Sequence, residues 1–182
     1  MLEEQRVDEV AVGISDPNLR RLYGYWLERK ASRRYRDIDP VDLRYILGHM
    51  MLVDVLREPL RFRVRLHGAN LASRAGYDLT GKSLDAIPDP NYRGYVIRRC
   101  EALIASGEPL AVRHDRVIDG WPMPYEALWL PFSDQGTEIT MLLCALVYDV
   151  RKPSVFSGNF SAALRLRGGS APSPSASGDT LT

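Results

Sequence analysis

Between Arg61 and Leu66 the chain alternates without a fault: Phe62, Val64 and Leu66 on one side, Arg61, Arg63 and Arg65 on the other. Only a strand has a side-chain period of two, so the pattern fixes a half-buried strand with a cationic outer row. A second apolar run, Met51 to Leu56, precedes it across Arg57-Glu58-Pro59, and the two make a hairpin. His67-Gly68 stops the strand. A short helical piece from Ala69 to Ala75 follows, then the polar turn Tyr77-Asp78-Leu79-Thr80-Gly81-Lys82-Ser83 with Leu84 as its apolar anchor. Tyr92, Tyr95, Val96, Arg99, Leu103 and Ile104 recur at helical spacing and end before Gly107-Glu108-Pro109. Three strands, at 110–118, 124–132 and 139–149, complete the order, with turns at Asp119-Gly120-Trp121-Pro122 and Ser133-Asp134-Gln135-Gly136.

The final strand is apolar on both sides, with Met141, Leu143 and Ala145 opposing Leu142, Cys144 and Leu146. Such a strand is central and covered twice. The middle helices account for one cover. For the other there are two candidates, the chain's own N-terminal stripe and a symmetric partner. That stripe consists of Leu19, Leu22, Tyr23, Trp26 and Leu27, in a helix started by Ser15-Asp16-Pro17. It suits a dimer or partner interface as well as a lid, because Trp, Tyr and Arg are enriched at interfaces. Ile38-Asp39-Pro40 reads as the start of a second short helix bearing Leu43, Ile46 and Leu47, stopped by Gly48.

Four segments follow: a flexible leader at 1–15, an N-terminal helical cap at 16–48, a core at 49–150, and a tail at 151–182 whose SAPSPSASGDTLT composition is that of a disordered segment. With 182 residues, one domain with extensions is the natural count. The formal net charge of +1 gives no overall electrostatic case for nucleic acid, leaving only the local row of arginines. No apolar run approaches the ~20 residues that span a bilayer. The leader has no basic-then-apolar signal layout. Two cysteines, Cys100 and Cys144, make no pair at CxxC spacing, so reduced thiols and a cytoplasmic setting are expected.

Reactive chemistry finds little support. There is no G-x-S-x-G and no phosphate-cradling glycine loop, and Asp78 reads as a turn residue. Three scattered histidines, His49, His67 and His114, give no metal spacing, and the middle helix holds none that could serve a haem axially. His114, Asp115 and Tyr125 are the nearest approach to an acid–base set, which defines the alternative reading of a small α+β enzyme acting on a small acid or thioester. The arginines Arg61, Arg63, Arg65, Arg98, Arg99, Arg113 and Arg116 read first as a solvated face paired with acids, and second as a carboxylate or phosphate site.

The order of elements, together with Trp26, Asp39-Pro40, the Arg63–Gly68 segment and Asp78-Leu79-Thr80-Gly81-Lys82, resembles the PAS domain superfamily and, within it, small stand-alone bacterial PAS-like proteins. The resemblance spans about Leu19 to Asp149. It implies an α+β fold: a five-stranded antiparallel sheet with helices on one face, a small cavity between them, and an amphipathic helix in front. It further implies a non-catalytic sensory or adaptor module, acting through a small ligand, a protein partner or a homodimer. Which ligand or cofactor is unknown on this basis; a covalent flavin adduct is disfavoured because no reactive-cysteine motif stands on the middle helix. Alternation and the resemblance together nominate Tyr77, Tyr95, Arg99, His114 and Trp129 as cavity residues.

Overall fold

The computed structural model describes residues 3–5, 13–32, 38–118, 121–133 and 138–148, with backbone alone at 3–5, 31–32, 114–118 and 121–124. Five strands form the expected antiparallel sheet: β2 (Met50–Leu56), β3 (Arg61–His67), β4 (Leu110–Ile118), β5 (Trp121–Ser133) and β6 (Ile139–Tyr148). A short strand unforeseen in the sequence, β1 (Glu3–Gln5), falls inside the supposed leader and adds itself to the β4 edge. The resulting order is β1-β4-β5-β6-β2-β3. The doubly apolar β6 is central, between β5 and β2.

Period-two alternation sends each strand's side chains into two separate cores. On one face Met51, Val53, Phe62, Val64, Trp129 and Cys144 pack beneath α2 (Ala69–Ala75) and α3 (Pro90–Ser106). On the other, Met50, Leu128, Leu130, Phe132, Met141 and Leu143 pack beneath α1 (Pro17–Ser32). The helix boundaries follow their chemistry. The Asp16 carboxylate accepts the Asn18 and Leu19 amides at 2.8 and 3.0 Å, and Asp89 accepts that of Tyr92 at 2.6 Å. Each is followed by a proline at the first helical position, where its missing donor costs nothing. Gly107 closes α3 with φ +66°, a left-handed value that suits glycine.

The covering element is the chain's own helix. Leu19, Leu22 and Trp26 are fully buried and Tyr23 nearly so, with the Trp26 indole Nε1 donating to the Pro131 carbonyl at 2.7 Å. Of the two covers the sequence offered, the chain's own sheet thus takes these four residues. A second chain reaches them only if α1 leaves the sheet. Leu27, at the edge of the stripe, is 41% exposed and is the member still presented outward. The segment after Asp39 also departs from expectation. It is a run of turns closed by i→i−3 bonds (Leu43 to Pro40, Ile46 to Leu43) ending in one 3-10 turn, Leu47–His49, rather than a second α-helix. It still delivers Leu43 and Ile46 into the α1-side core.

Gly68 holds the hairpin against this segment. A Cβ there would sit 2.5 Å from the Leu47 carbonyl oxygen and 2.6 Å from the Gly48 backbone, closer than real contacts permit. At the outer edge of β3 the Gly76–Lys82 turn folds back. Val64 donates to Lys82 and accepts from Gly81, both at 2.8 Å, while the His67 amide finds the Thr80 hydroxyl. That edge is therefore capped by the chain's own turn.

Candidate functional site

Between the sheet and the α2/α3 layer lies a cavity of about 60 Å³. The floor is built by alternation: Tyr125, Ala127 and Trp129 from β5, then Cys144, Leu146 and Tyr148 from β6. The Tyr125 and Tyr148 positions are register partners, and their rings meet edge to face at 5.9 Å. The roof comes from α3, where Tyr92 and Tyr95 stack at 6.2 Å, and the side wall from His67 and Tyr77. Among the described lining residues none carries a carboxylate, ammonium or guanidinium group.

The cavity is held electrically neutral. Burial raises the Tyr92 hydroxyl well above its ordinary range and lifts Tyr148 to about 12, although Arg74 pulls the latter back. Tyr95 is raised by burial as well, against the lowering influence of Arg99. Burial likewise pushes the Cys144 thiol far up and Cys100 to about 12, so neither is a thiolate at neutral pH. His67 is lowered by burial despite the nearby Asp78 carboxylate, and its Nδ1 accepts the Leu79 amide at 3.3 Å. The imidazole is thus neutral, with its proton on Nε2.

One polar group stands out. The Trp129 indole Nε1 is buried with no hydrogen-bond partner among the described residues, on a side chain only 4% exposed that lines the cavity. An orphaned buried donor costs about 1–3 kcal/mol unless something accepts from it.

Three of the five nominated residues, Tyr77, Tyr95 and Trp129, come together on the cavity wall. Arg99 does not join them. It is buried on α3, with its guanidinium 5.1 Å from the Tyr95 ring centre and hydrogen-bonded to the Tyr95 hydroxyl. His114 stands opposite Tyr125 in the β4–β5 register, but its side chain and that of Asp115 lie outside the described residues. The nominations omitted Tyr92, Tyr125, Tyr148 and His67. The first three had a signal: Tyr92 shares the Tyr95 stripe, and Tyr125 and Tyr148 follow once Trp129 and Cys144 are placed on the same face.

The fit of a large prosthetic group can be tested on volume. A cavity of about 150 Å³ admits one benzene, and this one is less than half that size. The residues as placed do not fit a haem or a flavin. Among the described residues no three His, Cys, Asp or Glu side chains come together as a metal site.

Sequence comparison places this geometry in a family. A PAS domain model matches residues 14–147. The chain belongs to the PAS domain family. A search of curated proteins finds no match. Solved structures similar to this PAS domain include a domain of an HTR-like protein from Haloarcula marismortui (16% identity, 54% of this chain and 96% of that one, TM-score 0.35). A fungal LOV domain photoreceptor matches at 16% identity over 75% of this chain and 97% of its own, with TM-score 0.38. An RNA-binding Light-Oxygen-Voltage receptor matches at 15% identity over 81% of this chain and 38% of its own, with TM-score 0.39.

Proposed function

We propose that this PAS domain is a non-catalytic sensory module that reads a small, uncharged, hydrogen-bond-accepting molecule in the α2/α3-side cavity and relays it to a partner protein. The observation that carries the reading is the orphaned Trp129 donor on the wall of a cavity otherwise lined by tyrosines, aliphatic and sulfur-bearing side chains and the neutral His67. A neutral acceptor satisfies that donor. A charged ligand would lose its hydration without meeting an opposite charge among the described lining residues. At about 60 Å³ the space takes a few heavy atoms without movement of the walls.

The absence of catalysis belongs to the proposal. It is supported by the protonated tyrosines, the un-ionised thiols and the neutral His67, which leave no strong base or nucleophile on the described wall. A cytoplasmic, bacterial setting is part of the same reading. It is consistent with two reduced cysteines, and no described helix is long and apolar enough to cross a membrane. Homodimerisation, on this reading, uses surfaces other than the buried face of α1.

Native mass spectrometry of freshly purified protein, with an absorption spectrum alongside, tests the reading. A stoichiometric extra mass that disappears in Trp129→Phe, in a variant that still unfolds cooperatively, is the expected result. An apo mass in every preparation, with no small neutral acceptor raising the melting temperature, would overturn the ligand reading. Turnover of a small acid or thioester abolished by His114→Ala in a folded protein would favour the enzyme instead.

A further inference from the structure

The cationic row of β3 sits on the α1 side of the sheet, the opposite face from the Val53, Val55, Phe62 and Val64 side chains of the cavity layer, and its three arginines are exposed. Arg63 faces Asp54 across the strands, and Arg61 faces Leu56. Residues directly opposite in an antiparallel pair share a face, so Leu56, Arg61, Asp54 and Arg63 form one patch, and Arg65, the extra residue at the bulge before the Leu52–Leu66 pair, joins it through its ion pair with Asp54. Its centre is built. The Asp54 carboxylate, 6% exposed, takes Arg63 at 3.0 Å and Arg65 at 2.5 Å. Both guanidiniums remain more than half exposed, each with donors left over. Arg61 is exposed and makes no ion pair among the described residues. Three cations against one carboxylate leave two net positive charges. Beside them two leucines, Leu56 at 39% and Leu60 at 43%, are among the few large apolar side chains that the described surface exposes.

We infer that this patch is a docking surface for an acidic segment of another protein, carrying alternating carboxylates and an apolar residue at one end. Arg61 and Arg63, two residues apart on one strand face, stand ~7 Å apart, the spacing at which alternate residues of an extended acidic peptide repeat. Arginine's planar fork pairs with carboxylates in two parallel hydrogen bonds. The leucines supply what a purely ionic contact lacks, an area for an apolar anchor. Nucleic acid fits less well, because the Asp54 carboxylate sits at the centre of the patch and the leucines border it. The chain's own C-terminal residues do not complement it. Residues 149–182 carry Arg151, Lys152, Arg165 and Arg167 against Asp149 and Asp179, a net +2. Strand addition is ruled out as the docking mode where the turn at 79–82 already caps the β3 edge, so the partner is read by side chains.

The test is fluorescence anisotropy of the full chain with a labelled peptide of alternating glutamates ending in leucine, beside a leucine-free peptide and an oligothymidylate of equal charge. Binding of the leucine-bearing peptide is expected, weakening steeply with salt. It should fall about tenfold or more in Arg61→Glu, a loss of about 1.4 kcal/mol or more. Leu56→Ser should weaken the leucine-bearing peptide and leave the other unchanged. Arg61→Gln gives the milder control, and since Arg61 holds no ion pair among the described residues, both arginine variants should keep the parent melting temperature. No peptide binding at low ionic strength, equal binding by Arg61→Glu, or tighter binding of the oligothymidylate would each overturn the inference. So would a dimer in sedimentation that Arg61→Glu dissociates, which would assign the patch to a second copy of this chain.

Discussion

Glu126 ties the start of α1 to the sheet. Its carboxylate accepts the Ser15 and Asp16 amides at 2.9 and 3.0 Å, the Ser15 hydroxyl, and an Arg113 guanidinium N–H at 2.9 Å. Burial alone would raise its pKa. The Ser15 hydroxyl, the Asp16 amide and the Arg113 guanidinium outweigh that, and the carboxyl titrates below its ordinary value. A carboxyl depressed in the fold stabilises above its unfolded pKa and loses that contribution as pH falls through the folded value. Stability should therefore decline below about pH 4.5, and less steeply in Glu126→Gln; equal acid slopes in a urea series would disprove the clamp. Loss of charge-assisted bonds predicts a cost of about 1–3 kcal/mol for that substitution at neutral pH. His67 has the same sign for a different reason. Its pKa is depressed because burial penalises the imidazolium, so protonation weakens the fold as pH drops below about 6.5. A flat stability profile from pH 7 down to about 5 would contradict that. Gly68→Ala should cost about 1–3 kcal/mol through overpacking against the Leu47–Gly48 backbone, measured by chemical denaturation; an unchanged midpoint would mean the segment yields freely.

At the level of elements, α1 is stapled at two points, by Glu126 at its start and by the Trp26–Pro131 bond past its middle. Trp26→Ala empties the largest fully buried side chain of that layer and should destabilise by about 3–5 kcal/mol; under 1 kcal/mol in equilibrium unfolding would show the helix to be a loose cover. The strands were legible because a half-buried strand writes its two faces in alternate letters, as Arg61 to Val64 do; the bulge at Arg65 breaks the alternation and sends Leu66 to the α1-side core, away from Phe62 and Val64. Amphipathicity in α1 announced an apolar side but not what that side meets, so Leu19 and Trp26 could be found and their partner could not. The run from Asp39 to His49 read as a helix because Leu43, Ile46 and Leu47 have helical spacing. So short a segment scarcely repays helix nucleation, and turns deliver the same leucine and isoleucine to the core. The β1 strand had no signature at all. Three polar residues acquire strand geometry from the waiting edge of β4 rather than from their own pattern. In the cavity, Trp129 and Tyr95 were visible by phase. Helical phase put Arg99 on the Tyr95 stripe but does not reveal that its guanidinium goes to the Tyr95 hydroxyl.

At the scale of the whole molecule, the sheet separates two cores, one tyrosine-lined and incompletely filled, the other packed under α1. Deleting residues 1–32 should leave the first core without its backing and expose Leu128, Leu130, Phe132 and Leu143. The expected outcome is strong dye binding and aggregation, not a clean monomer; a soluble, cooperatively folded product would show that the α2/α3 side stands alone. The two thiols offer a way to watch the first core open. Cys100 and Cys144 are the chain's only cysteines, both lie in that layer, and burial keeps both protonated. An alkylating reagent can mark this protein only when α3 and β6 part company. The labelling rate is thus a stopwatch for breathing of the sensory layer, and any molecule that truly occupies it must slow the clock.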